Sequence, residues 1–350
     1  MSGTRLPFPH PRVRPDWLAR LREDVLEPDL PIVDPHHHLW PARPDRYLIP
    51  DLAEDLRTGH DIRATVFIQC GTGYRTEGPA ELRPVGETAY VAALAAEADS
   101  GPDARFHAAA GIVGHADCRL GDRIEPVLLA HAQAGQGRFK GIRHSATHDP
   151  GIAPTVPPGA APGLFLDPGF RAGVARTGRL GFAFEAWCYH PQLGELADLL
   201  RACPDQKIVL NHLGGPLGVG PYEGRRPEVF SAWSARMKDL ARFPNLFVKL
   251  GGLAMNVNGF GWHREPLPPG SGEMARAWAP WMETAIEAFG PSRCMFESNF
   301  PVDKGMCGYA AVWNAFKRIA AGCTADEKAR LFHRTAAGFY GLAIAGLDAA

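Results

Sequence analysis

The chain is predicted to fold as a single (β/α)8 barrel of the α/β class, in which eight parallel strands are joined by crossover helices. Three observations predict it. Eight short apolar runs alternate with longer helix-like stretches along 350 residues, the order that gives parallel strands linked by right-handed crossovers. Histidines and other polar residues gather at the ends of those runs, where a barrel places its chemistry. No glycine-rich phosphate loop follows an early strand, so the signature of a doubly wound open sheet is missing.

The predicted strands are Ile32–His38, Ala64–Gly71, Phe106–Val113, Phe139–His144, Gly181–Tyr189, Lys207–Leu213, Leu246–Leu253 and Cys294–Phe300. Helices are predicted over Pro84–Ser100, Asp122–Ala134, Pro168–Gly178, Pro191–Ala202, Pro227–Phe243 and Gly272–Phe289, with two more near Gly308–Ala321 and Thr324–Tyr340. Residues 1–30 read as an N-terminal extension and 31–345 as the barrel domain. Three Pro/Gly-rich insertions, Asp149–Pro168, Pro216–Pro227 and Asn256–Gly272, all follow strands, on the face where loops shape access to a site.

The first strand carries the densest information. Ile32-Val33-Asp34-Pro35-His36-His37-His38 presents Asp34, His36 and His38 at alternate positions. Side chains alternate between the faces of a strand, so these three are expected on one face and His37 on the other. Two imidazoles spaced in this way can reach one divalent ion, and zinc favours such nitrogen ligands.

Composition narrows the class of function. With 45% hydrophobic residues the chain can bury a large core, and a net charge of −1 leaves no basic face for nucleic acid. No apolar run is long enough to span a membrane, and the first residues lack the apolar region of a signal peptide. Seven cysteines without a CxxC pair suit reduced thiols, so a cytoplasmic protein is expected. The expected partner is a small-molecule substrate, and a homo-oligomer stays open.

Further polar residues close the other strands: Lys140 and Arg143, then Glu185, Trp187, Tyr189 and His190, then Asn211 and His212, and finally Glu297, Asn299 and Asp303. In a barrel such residues meet at one mouth. Together with Leu82–Glu87, Asn211–Pro216 and Met295–Val302, they resemble the amidohydrolase superfamily. The resemblance is to its branch of lactonase-like, metal-dependent TIM-barrel hydrolases and covers nearly the whole chain, from about Pro31 to Tyr340.

The resemblance implies that His36, His38 and His190 are metal ligands, with Zn2+ the first choice of divalent ion, and that His212 orients water or polarises a carbonyl. It also exposes a departure. The family usually places an aspartate after the eighth strand, and this chain has Asn299. An amide cannot accept a proton at ordinary pH, so metal binding is expected to be weaker and the base must lie elsewhere.

Asp303 is the first candidate for the base, as a loop carboxylate at the mouth. Glu297 is the second; its alternative is a deep ion pair with Lys140 or Lys249. Arg143 and Lys140 are three residues apart and cannot both face inward on a regular strand, yet either can bind a substrate carboxylate, arginine with the better fork. Asn299, Trp187 and Tyr74 are further substrate-binding candidates. The resulting expectation is a hydrolase that opens a lactone, or a related cyclic ester or amide, of a small carboxylated molecule. The rivals are a metal-dependent decarboxylase of a small acid and, on the strength of Asn299, a non-catalytic barrel that binds one.

Overall fold

The computed structural model describes residues 10–41, 46–101, 106–153 and 159–347. Residues 1–9 of the N-terminal extension and 154–158 of the first predicted insertion lie outside the described residues. Eight strands, β1 (Pro31–His37), β2 (Asp61–Ile68), β3 (His107–Gly114), β4 (Phe139–Arg143), β5 (Ala183–Ala186), β6 (Ile208–Leu210), β7 (Leu246–Leu250) and β8 (Cys294–Phe296), pair in parallel and in sequence order. The segment after β8 returns to β1 through Asn299 N–H to His36 O (3.0 Å) and His38 N–H to Phe300 O (2.8 Å), which closes the barrel.

Strands are shorter than predicted on the later half of the barrel. β5, β6 and β8 stop after three or four residues, so Trp187, His190, His212 and Asn299 lie in the turns that leave the sheet. There the two-residue alternation no longer decides where a side chain points.

The helices, in chain order, are α1 (Pro15–Leu18), α2 (Ile49–Leu56), α3 (Val85–Asp99), α4 (Glu125–Ala134), α5 (Pro168–Arg179), α6 (Leu193–Ala202), α7 (Arg226–Leu240), α8 (Ser271–Phe289), α9 (Tyr309–Ile319), α10 (Ala325–Ala329) and α11 (Thr335–Tyr340). α2 was not predicted; it is eight residues long, although Leu52, Ala53 and Leu56 give it a buried stripe. A π-helical turn, Arg330–Arg334, joins α10 to α11 where one helix was expected. Among the described residues no helix is long and apolar enough to cross a membrane.

Two apolar layers follow from strand alternation. Outward-facing residues such as Phe184, Leu210, Val248 and Phe296 pack under the helices with Trp233, Trp278 and Trp313. Inward-facing Val33, Val66, Ala183, Val209 and Met295 fill the barrel interior and are covered by Phe339, Tyr340 and Ile344 of the C-terminal segment. The extension docks on the outside, with Trp17 Nε1 on Glu265 O (3.0 Å) and Lys317 Nζ on Leu26 O (2.7 Å).

Trp233 ties this packing to the end of β6. It is fully buried against Trp281, and its Nε1–H donates to Leu213 O at 2.6 Å. Trp233→Ala should therefore lower unfolding free energy by about 3–5 kcal/mol, seen as an earlier midpoint in guanidinium unfolding. An unchanged midpoint would mean that α7 does not secure that turn.

Candidate active site

β1 does not keep a regular register across its polar residues. The pairing with β2 slips between Asp34 and His37, and this corrects the expectation that Asp34 shares a face with the histidines. Its carboxylate turns toward β8 and α9, accepting from Ser298 N–H (3.0 Å), His36 N–H (3.3 Å) and the Tyr309 hydroxyl (2.9 Å). His37 turns to Thr65, with Nε2 2.9 Å from Oγ1. His36 and His38 stay together, ring centroids 5.0 Å apart, and His212 lies 4.5 Å from His36.

Glu297 organises these rings. Its Oε1 accepts from His212 Nδ1–H at 2.7 Å and from the His212 backbone N–H at 3.2 Å. Its Oε2 lies 2.8 Å from His36 Nδ1, a close contact off the ideal hydrogen-bond direction. On the other side of His36, Arg143 Nη1 is 3.3 Å from Nε2. Arg143 and Lys249 only donate and Glu297 only accepts. With Lys249 Nζ at 3.2 Å and Glu297 Oε2 at 2.8 Å from Nδ1, a proton on Nδ1 and a lone pair on Nε2 suit Glu297 and Arg143 and leave Lys249 opposed. His38 has the same tautomer because Nδ1 donates to Ile68 O at 2.7 Å. Burial holds both His36 and His38 well below the usual imidazole range, helped at His36 by Lys249 and at His38 by Arg143. All three rings thus turn Nε2 away from their Nδ1 partners.

The local backbone is built for this arrangement. His212 and Leu213 adopt left-handed φ values of 52° and 55°, a conformation that costs L-residues energy. Glu297 and Trp233 hold one residue each. A Cβ at Gly252 would sit 2.3 Å from His212 Nδ1, so the glycine leaves the ring its space.

Below the histidines lies a buried charge layer. Lys249 Nζ contacts Glu185 at 2.9 and 3.0 Å, donates to Pro35 O at 2.8 Å and stands 4.0 Å from Glu297. Glu185 also accepts from Asn211 Nδ2 (2.7 Å) and from the Tyr340 hydroxyl. Lys249 was foreseen only as an ion-pair partner for Glu297, and its main partner is Glu185. Its signal was a lone cation within Leu246–Leu250; Tyr340 had none, because its role depends on a C-terminal helix reaching into the barrel.

Several predicted site residues sit elsewhere. His190 accepts the Leu217 N–H at Nδ1 (3.2 Å) and packs against Tyr222, so it is not brought to His36 and His38. The short 3-10 turn His190–Gln192 carries it off the strand line. Lys140 points to the opposite end, with Nζ 3.4 Å from Gly341 O. Asp303 is not an exposed mouth residue. It is 2% exposed and accepts from Asn299 Nδ2 (2.8 Å) and Ala254 N–H (3.1 Å), and burial pushes its carboxyl well above the ordinary range.

Other predicted residues are in place. Asn299 is 1% exposed and faces its amide nitrogen to Asp303. Trp187 stands edge-on to His212 at 4.7 Å. Tyr74 is half-buried after β2, close enough to Arg143 to feel its charge. Arg143 is buried, with Nη2 on Gln69 O at 2.6 Å.

The metal implied by the resemblance can be tested against these donors. His36, His212 and Glu297 offer ligand atoms within 4.8 Å of one another. Glu297 is already engaged by two imidazoles, which suits an outer partner that orients ligands better than it suits a ligand. The fit is to a modestly held ion, because the donors left are neutral imidazoles and the one carboxylate among them is already engaged.

The chain matches the amidohydrolase family model over residues 33–342. It is 32% identical over 334 residues to the uncharacterized protein y4mH of Sinorhizobium fredii, covering 89% of this chain and 99% of that one. It is 24% identical over 325 residues to L-fucono-1,5-lactonase of Burkholderia multivorans, covering 89% and 96%. A crystal structure of an amidohydrolase from Burkholderia multivorans with bound zinc superposes with a TM-score of 0.69 at 24% identity, over 89% of this chain and 99% of that one.

The turned-away Asp34 has a measurable consequence. Burial lifts its carboxyl to about 6. The folded state then binds more protons than the unfolded state between about pH 4 and pH 6, so stability falls as pH rises through that window. Asp34→Asn removes the ionisation and should flatten this part of the stability profile by about 2–3 kcal/mol. Chemical unfolding of both proteins across the window checks it; parallel profiles would show that Asp34 does not titrate there.

Proposed function

Because the chain belongs to the amidohydrolase family, we propose that it hydrolyses the lactone of a small hydroxylated acid, with His212 and Glu297 activating water. The observation that carries this reading is the His212–Glu297 pair. Nδ1–H is fixed on a buried carboxylate, and no described residue pairs with Nε2. An imidazole held in this way accepts a proton at Nε2, while the carboxylate stabilises the imidazolium that forms. The lactone name of a relative supports the substrate class.

The steps follow from the residues. Water beside His212 attacks the ring carbonyl carbon as Nε2 takes its proton. The carbonyl oxygen gains negative charge, and Arg143, a buried cation 3.3 Å from His36 Nε2, is placed to stabilise it. Collapse breaks the ring C–O bond, and the imidazolium returns its proton to the departing alkoxide. The product is the open hydroxy acid, one water heavier than the lactone. Trp187 offers an apolar wall beside His212. His36 and His38 would hold a divalent ion, which supplies carbonyl polarisation and a more acidic water when bound. Asp303 acts through Asn299, by fixing its amide.

A panel of sugar-acid lactones screened with a pH indicator, in heavy-oxygen water, tests the proposal. On the lactone that wild type opens, His212→Gln should lower kcat by about a hundredfold or more. Glu297→Gln should lower it as well, through loss of the tautomer. Asp303→Asn should stay within about tenfold of wild type, since its carboxylate faces Asn299 and Ala254. Normal turnover by folded His212→Gln would sink the reading, and carbon dioxide release without oxygen incorporation would replace hydrolysis by decarboxylation.

A further inference from the structure

His36 stands between two buried cations. Lys249 Nζ is 3.2 Å from its Nδ1 and Arg143 Nη1 is 3.3 Å from its Nε2. Both cations can only donate, and a neutral imidazole has one lone pair to receive them. Glu297 Oε2, 2.8 Å from Nδ1, favours the ring proton there and leaves the Nε2 lone pair to Arg143, with Lys249 opposed. The Arg143 contact is a true donation, made into the lone pair that a metal would need.

Arg143 itself is unusually placed. It is 8% exposed, yet among the described residues it makes no ion pair within 4.0 Å, although Glu185, Glu87 and Glu297 all lie near enough to favour its charge. A buried guanidinium normally meets a carboxylate. Here Nη2 goes to a backbone carbonyl, Nη1 to a neutral imidazole, and Nε finds no protein partner. The layer also balances without an ion, since Arg143 and Lys249 stand against Glu185 and Glu297.

We propose that Arg143 and a divalent ion are alternative occupants of the His36 Nε2 lone pair, so that the chain binds zinc only as Arg143 gives up this contact. The proposal rests on the reading of His36 and His38 as the residues that would hold the ion. Two effects make the exchange costly. The ion must displace a donor already seated on its ligand, and it must then share a buried space with two fixed cations. Asn299 adds no negative charge to offset them.

Zinc affinity, measured by competition with a chromogenic chelator on protein purified without a histidine tag, tests this directly. Arg143→Gln should bind zinc about tenfold more tightly than wild type, or better, the scale on which groups bordering a metal site change its affinity. Arg143→Met, which keeps the methylene stem and brings no donor, repeats the comparison if the glutamine variant does not fold. His38→Ala in the Arg143→Gln background should abolish the gain. Equal or weaker zinc binding by both Arg143 variants overturns the competition and leaves the histidine site standing. A gain that survives His38→Ala places the ion elsewhere and overturns the proposal. Absence of zinc binding in wild type and both variants overturns the proposal and the histidine site together.

Discussion

A single buried carboxylate, Glu297, holds the two halves of the candidate site together. It comes from the end of β8 and reaches His36 of β1 and His212 after β6 at 2.8 and 2.7 Å. A carboxylate fully removed from water is expensive unless its oxygens are occupied. The barrel meets that cost at Oε1 with the His212 imidazole N–H and backbone N–H, while Oε2 has His36 Nδ1 at 2.8 Å off the hydrogen-bond direction and Lys249 at 4.0 Å. The same contacts fix the tautomers of two histidines and restrain a left-handed turn at His212. Structural and chemical demands on Glu297 therefore coincide.

That carboxylate survives because the layers beneath it are built in order. The C-terminal segment covers the barrel interior with Phe339 and Ile344, and Tyr340 passes its hydroxyl upward to Glu185. Glu185 holds Lys249, and Lys249 borders His36. An apolar plug thus supports a polar layer, and the polar layer supports the histidines. The residues most remote from the mouth are coupled to it through a few short contacts.

Access is uneven around the mouth. Loops after β4 to β7 gather Ile152, Trp187, Tyr189, Leu217, Met255 and Val257 into a buried apolar cluster on one side. On the β2 side, Gln69, Cys70 and Tyr74 are only half-buried. Family membership sets the class of chemistry.

The sequence by itself determined the eight strands in their order, most of the helices, and the placing of His36 and His38 together. These are local facts, written in two-residue and three-to-four-residue periodicities that survive in any tertiary context. Tertiary structure decided the rest. A register slip turned Asp34 toward Tyr309, a 3-10 turn took His190 to Leu217, and burial placed Asp303 behind Asn299 instead of at the mouth. Lys249 and Tyr340 joined the site from strand and helix positions with no local mark of function. Alternation predicts direction only while a strand lasts, and β5, β6 and β8 end before their functional residues begin. Past that point a side chain goes where distant partners can satisfy its charge and hydrogen bonds, and those partners are brought near only when the barrel closes.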